Sequence, residues 1–242
     1  MKGNRNLCQF INAMLYNLIE SGWMQECFKT EEQEALERGI VGKGNILYQE
    51  VDTKPADCPS RAFPDLDTSQ WYHRYVDYAI ENGLMGDAGD GTFSPDRTLT
   101  RAQVITVLWR LEGEPQADYT INFTDVAEGA WYTDVVRWAV KEEIMGGYGD
   151  GTFGPNDPIT WEQLAAILYR YAGYKSYDVS AKDDPARVVD AAKISSWAYE
   201  SVQWACGADI LENGGGTITP TGNTKRCEFA AAITRFMQNV AG

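Results

Sequence analysis

From Phe63 onward the chain alternates short apolar runs at helical spacing with stretches rich in Gly, Asp, Pro and Thr. In the clearest unit, Val135, Val136, Trp138, Ala139 and Val140 form an apolar run that Lys141, Glu142 and Glu143 follow. Gly146-Gly147 is expected to end that helix. The segment GYGDGTFGPNDP then reads as a chain of turns, with Phe153 as its lone large apolar residue, expected to pin the loop to a core. Thr160 is placed as an N-cap, and Leu164, Ile167, Leu168 and Tyr171 give the next helix a buried stripe. The unit is helix, turn-rich loop, helix. Upstream, Leu7, Phe10, Ile11, Met14, Leu15, Leu18 and Ile19 mark one face of an amphipathic helix over residues 7–24. Gln9, Asn12, Asn17 and Glu20 interrupt it, unlike the continuous apolar core of a secretory signal. No stretch reaches the roughly 18 apolar residues of a membrane span.

The unit recurs. Residues 63–113 align with 123–173 at a constant offset of 60, without a gap, and 19 of 51 positions are identical, far above chance. A weaker third copy spans about 188–239: Asp190 answers Asp125, Trp197 answers Trp131, Trp204 answers Trp138, and Ile218-Thr219-Pro220 answers Phe153-Gly154-Pro155. The expected organisation is an N-terminal helical extension over 1–60, then repeats over 61–115, 116–175 and 176–242. Two short helices cannot bury their apolar faces alone, whereas three pairs packed together can. The fold class that follows is all-α, three helix-loop-helix repeats in one pseudo-three-fold unit.

Composition narrows the chemistry. Among 242 residues, 21 Lys plus Arg stand against 35 Asp plus Glu, a net charge of −14 spread along the chain without a charged tail. That balance argues against neutralising nucleic-acid phosphates and against a polybasic membrane anchor. The single histidine, His73, has no second imidazole with which to build a His-based metal cluster, and its place beside a Trp-Tyr pair suggests an unpaired surface or loop residue. Five cysteines, Cys8, Cys27, Cys58, Cys206 and Cys227, are odd in number and lack CxxC spacing, so they read as reduced, small apolar residues. Cys206 and Cys227 stand where other copies carry Ile80 or Val140 and Ala102, which fits packing. Neither a metal nor another cofactor is expected.

Several strings recur in order: Phe63-Pro64-Asp65-Leu66, Trp71, Ala79-Ile80, Gly89-Asp90-Gly91-Thr92-Phe93-Ser94-Pro95 and Thr100-Arg101-Ala102-Gln103. The second copy repeats them from Phe123 to Gln163. This series resembles the S-layer homology (SLH) family over about three quarters of the chain. The resemblance implies a binding module, with no catalytic residues, that holds bacterial surface proteins on secondary cell-wall polysaccharide, often through pyruvylated sugars. It also implies grooves between neighbouring repeats, with the arginine of the T-R-A-E motif as a principal contact. On this reading the ligand-binding candidates are Arg101, Arg226, Trp71, Trp131, Trp197, Gly89, Asp90, Gly91, Asp150 and Gly151. A guanidinium offers a pyruvate carboxylate paired charge-assisted hydrogen bonds, glycines let backbone N–H groups approach a sugar, and an indole stacks on a pyranose. Arg101, Gly89–Gly91 and Trp71 are expected to act together in the first copy. The tryptophans suit core anchors equally, and Asp90 and Asp150 suit turn caps.

Trp161 replaces the motif arginine in the second copy, and the third copy's loop, Asn213-Gly214-Gly215-Gly216-Thr217-Ile218, lacks the aspartate. At most one copy therefore keeps the whole set. The resemblance places the chain at the cell surface, while the absence of a visible export signal and the thiols leave a cytoplasmic location as the alternative. In that alternative an acidic protein-binding module of phage or mobile-element type engages a basic protein partner, for example a nucleic-acid enzyme that it inhibits. An enzyme is the least favoured class, because no nucleophile–base pair, phosphate loop or metal spacing recurs.

Overall fold

Thr100 and Thr160 each stop an extended approach and start a helix. Both hydroxyls accept the backbone N–H three residues on, and Gln103 and Gln163 reach back to the cap N–H groups. In the computed structural model, which describes residues 58–184, 189–211 and 217–241, six α-helices follow in order. They are α1 (His73–Glu81), α2 (Arg101–Leu111), α3 (Thr133–Lys141), α4 (Trp161–Tyr174), α5 (Tyr199–Gly207) and α6 (Arg226–Asn239). Short 3-10 turns occupy Pro59–Ala62, Ala191–Lys193 and Ser196–Ala198. No strand occurs among the described residues; three isolated bridges join the loops. The helix expected over 7–24, most of the 1–60 extension, Cys8 and Cys27 lie outside the described residues.

The helices pair across copies. α3 packs on α2, α5 on α4, and α1 on α6, so the first helix of each copy covers the second helix of the copy before it. This closes a ring. At its centre Ile159 N donates to Leu99 O, Leu99 N to Thr224 O, and Thr224 N to Ile159 O, at 3.0, 3.0 and 2.8 Å. The ring also satisfies the helix N-termini: Arg101 and Ala102 donate to Asp157 and Pro155, Trp161 and Glu162 to Gly222 and Pro220, and Arg226 and Cys227 to Arg97 and Pro95. The all-α pseudo-three-fold architecture is thus the observed one.

The core is where the apolar spacing puts it. Leu164, Ile167, Leu168 and Tyr171 are buried, and Phe93 and Phe153 anchor their loops fully inside. The recurring aspartates hold those loops down. Asp125 accepts from the N–H groups of Phe153 and Gly154, Asp65 from Phe93 and Ser94, and Asp190 from Ile218 and Thr219. Two local expectations need correction. α3 ends at Lys141, before Gly146-Gly147, because Glu143 takes the left-handed conformation (φ 57°) that Gly83 takes after α1. His73 is neither unpaired nor in a loop: it opens α1, half-buried, with Nε2 2.9 Å from Asp77.

Candidate functional site

Arg101 leads α2, and its guanidinium crosses into the second copy. Nε donates to the Phe153 carbonyl at 3.0 Å and Nη2 to the Gly146 carbonyl at 2.8 Å. The cation lies 4.4 Å from the Tyr148 ring centroid. Arg226, leading α6, repeats the arrangement on the first copy, donating to the Phe93 and Gly86 carbonyls, both at 2.6 Å, over the Phe93 ring. Arg101 and Arg226 are only 5% and 8% exposed. Burial lowers the pKa of each, opposed at Arg101 by Tyr148, Asp157 and Asp125 and at Arg226 by Asp65, Asp87 and Asp90. Both remain guanidinium ions at any ordinary pH. Neither has a carboxylate within ion-pair distance among the described residues. Of five N–H donors per fork, two are taken by these carbonyls.

Each arginine lines a groove built by all three copies. The first, about 470 Å³, has Arg101 from the first copy, Gly146, Gly147 and Tyr148 from the second and Trp197 from the third. The second, about 190 Å³, has Arg226 from the third copy, Gly86 and Asp87 from the first and Trp131 from the second. The remaining combination, about 170 Å³, joins Trp161, Trp71 and the third copy's Thr217–Thr219. The expected grouping of Arg101 with Gly89–Gly91 and Trp71 is therefore wrong. The α2 N-terminus bonds to the second copy's loop, so every arginine serves the following copy's loop and the tryptophan of the copy beyond it. Only the first copy carries the whole set along the chain, yet two grooves combine an arginine, the turn that leads into a GDGTF stretch (Gly146–Tyr148 or Gly86–Asp87) and a tryptophan, while Gly89, Asp90, Gly91, Asp150 and Gly151 line neither. Trp161 and the third copy's Thr217–Thr219 line the third groove.

Trp71, Trp131 and Trp197 are 44%, 60% and 56% exposed, which excludes the core-anchor alternative. Asp90 and Asp150 each accept from the N–H and hydroxyl of the following threonine, Thr92 and Thr152, and act as turn caps. These hydrogen bonds hold both carboxyls below the usual carboxylate range. The Gly89, Asp90 and Gly91 N–H groups converge on Asp87 Oδ1, so the side chain of Asp87 already occupies the anion-binding concavity of the first loop. In the second loop, with Gly149, Asp150 and Gly151, Gly147 stands at the Asp87 position. Its sequence signal was available in the alignment of 87 with 147, but its meaning needs the loop geometry.

Comparison with known proteins places the first two copies in a family. Residues 62–105 and 122–165 match the S-layer homology domain family. The third copy lies outside the matched stretches. An endoglucanase of Bacillus sp. (strain KSM-635) is 30% identical over 185 residues, 75% of this chain and 19% of that protein. The surface-layer 125 kDa protein of Lysinibacillus sphaericus is 27% identical over 170 residues, 68% of this chain and 14% of its own length. The S-layer protein sap of Bacillus anthracis is 26% identical over 182 residues, 75% of this chain and 22% of its own. The chain thus spans less than a quarter of the length of each of these relatives.

Proposed function

We propose, for a chain whose residues 62–105 and 122–165 are S-layer homology domains, a non-enzymatic role in attachment to bacterial cell-wall polysaccharide. The ligand group is a pyruvate ketal, and the place of action is the cell surface. The observation that carries this is the pair of buried guanidinium groups, each opening on a groove with donors left over and no carboxylate partner among the described residues. A ketal-linked pyruvate supplies the missing carboxylate, and an exposed indole on the same groove gives the sugar ring a stacking face. The relatives named as surface-layer proteins support a wall partner.

Sedimentation with purified wall polysaccharide, before and after acid removal of pyruvate, tests the reading. Arg101→Ala and Arg226→Ala are each expected to weaken retention at their groove about 10- to 100-fold, the value of a charge-assisted hydrogen-bond pair of ~1.5–3 kcal/mol. The double variant is expected to stay in the supernatant. Because each arginine also braces a loop, circular dichroism and melting of the variants accompany the binding assay. Equal retention of a folded double variant, or of wall stripped of pyruvate, would sink the reading.

A further inference from the structure

We propose that Cys58, His73 and Asp77 form a zinc site on the first copy. The three residues come from two elements: Cys58 caps the 3-10 turn Pro59–Ala62, and His73 and Asp77 lie one turn apart on α1. Cys58 Sγ is 3.1 Å from His73 Nε2 and 3.3 Å from Asp77 Oδ2, and Nε2 is 2.9 Å from Oδ2. One sulfur, one imidazole nitrogen and one carboxylate oxygen thus form a tight triangle.

The same residue types also compose a nucleophile–base–carboxylate relay, and the geometry separates the two. A relay needs the carboxylate on one ring nitrogen and the thiol on the other. Here both sit against Nε2, as ligands around one point would. Tetrahedral zinc, with bonds of about 2.0–2.3 Å, spaces its ligand atoms about 3.3–3.6 Å apart. The triangle therefore has to open by only a few tenths of an ångström. Asp77 is already oriented for this: Ser60 donates its backbone N–H (2.9 Å) and its hydroxyl to Oδ1, leaving Oδ2 turned to the thiol and imidazole. A sulfur, nitrogen and oxygen donor set suits zinc and not magnesium or calcium. Cys58 is 6% exposed while the side chains of His73 and Asp77 are 23% and 19% exposed, so the site has a wall and an opening.

Binding balances simply. Zinc loses bound water, the Cys58 thiol releases its proton to solvent as the Zn–S bond forms, and the hydrogen that His73 Nε2 directs at Asp77 leaves that nitrogen, so that the bound ring carries its proton on Nδ1. Thiolate and carboxylate cancel the ion's two charges, and a water completes the fourth position.

The fold itself does not call for this trio. At the equivalent positions the second copy has Thr133, which donates to the Ala127 carbonyl, and Arg137, which pairs with Glu128 and Asp134. The third copy has Tyr199 and Gln203. Zinc here fastens the segment that leads into the first copy onto α1. The inference stands apart from the glycan reading, since the site lies outside both arginine grooves.

Titration of the full chain, stripped by chelator and kept reduced, with zinc chloride is the test, followed by cobalt(II) spectroscopy. The expected result is one zinc per chain, a rise in melting temperature, and a sulfur-to-cobalt charge-transfer band. Cys58→Ser abolishes that band, and His73→Gln and Asp77→Asn weaken zinc binding at least 10-fold while folding normally in chelator. Absence of stoichiometric binding, or unchanged affinity and cobalt spectrum in Cys58→Ser, would overturn the site. Loss of folding in Asp77→Asn, whose Oδ1 also anchors Ser60, leaves the decision to His73→Gln, whose ring is partly exposed.

Discussion

At Cys227 and Cys206 the thiol is a packing group, and burial gives it a measurable signature. Both are free and buried, and desolvation, reinforced at Cys227 by Glu228 and Asp96 and at Cys206 by Asp183 and Asp209, pushes each thiol up to about 11 from 9.0. A folded-state pKa above the unfolded one means that the native state holds its proton longer. The stabilisation is fully present below about pH 9 and is lost as the pH rises through about 11. Each thiol contributes on the order of 2 kcal/mol across that window. Urea unfolding at pH 8 and pH 10.5 is expected to show Cys227→Ala losing less stability than the parent by roughly that amount; an identical loss would show that the thiol is solvated. The packing role of these two was legible because the repeat offers Ala102, Ile80 and Val140 as templates. Cys58 has no such template, and its neighbours His73 and Asp77 meet it only through the turn at Pro59–Ala62. Nothing local in the sequence connects them, so the sequence alone suggested an isolated imidazole.

Elements with local signals were readable, and those set by distant neighbours were not. Thr160 and the stripe Leu164, Ile167, Leu168 and Tyr171 are properties of one helix and appear where expected. The end of α3 depends on Glu143 accepting a left-handed backbone, a cost of about 1–2 kcal/mol that the surrounding packing tolerates. A search for glycine therefore stops too late, at Gly146-Gly147. These glycines have different duties in the connection to the loop. A Cβ on Gly147 would lie 2.4 Å from the Thr152 carbonyl oxygen and 2.5 Å from the Phe123 ring, whereas one on Gly146 meets nothing within 4 Å. Gly147→Ala is expected to destabilise by about 1–3 kcal/mol through overpacking, and Gly146→Ala to stay within about 0.5 kcal/mol of the parent. Thermal melts of the two variants side by side check this, and equal melting temperatures would refute the tight loop contact.

The ring changes what the repeats mean for the whole molecule. Read along the chain, copies two and three each look defective; read around the ring, Trp161 and Thr217–Thr219 of the third copy share one groove and leave two grooves with an arginine and a tryptophan. That regrouping was invisible in sequence because the period of 60 gives the number of copies but not which helix covers which loop. The same closure predicts a single cooperative unit. Trp204 is fully buried in α5, with its ring edge-on to Tyr169 of the second copy and Phe236 of the third. Trp204→Ala is expected to cost about 3–5 kcal/mol. If each copy were an independent unit, amide exchange would accelerate only in α5 and α6 of the third copy. But α1 packs on α6, α3 packs on α2, and the Leu99–Ile159–Thr224 cycle links all three loops, so loss of the third copy strips cover from the first. Exchange of the buried amides of α2, Val104 to Leu108, is expected to speed up by the same factor as that of α5, about 10²–10³-fold or more. Protection of α2 that survived while α5 exchanged would show that the copies fold separately.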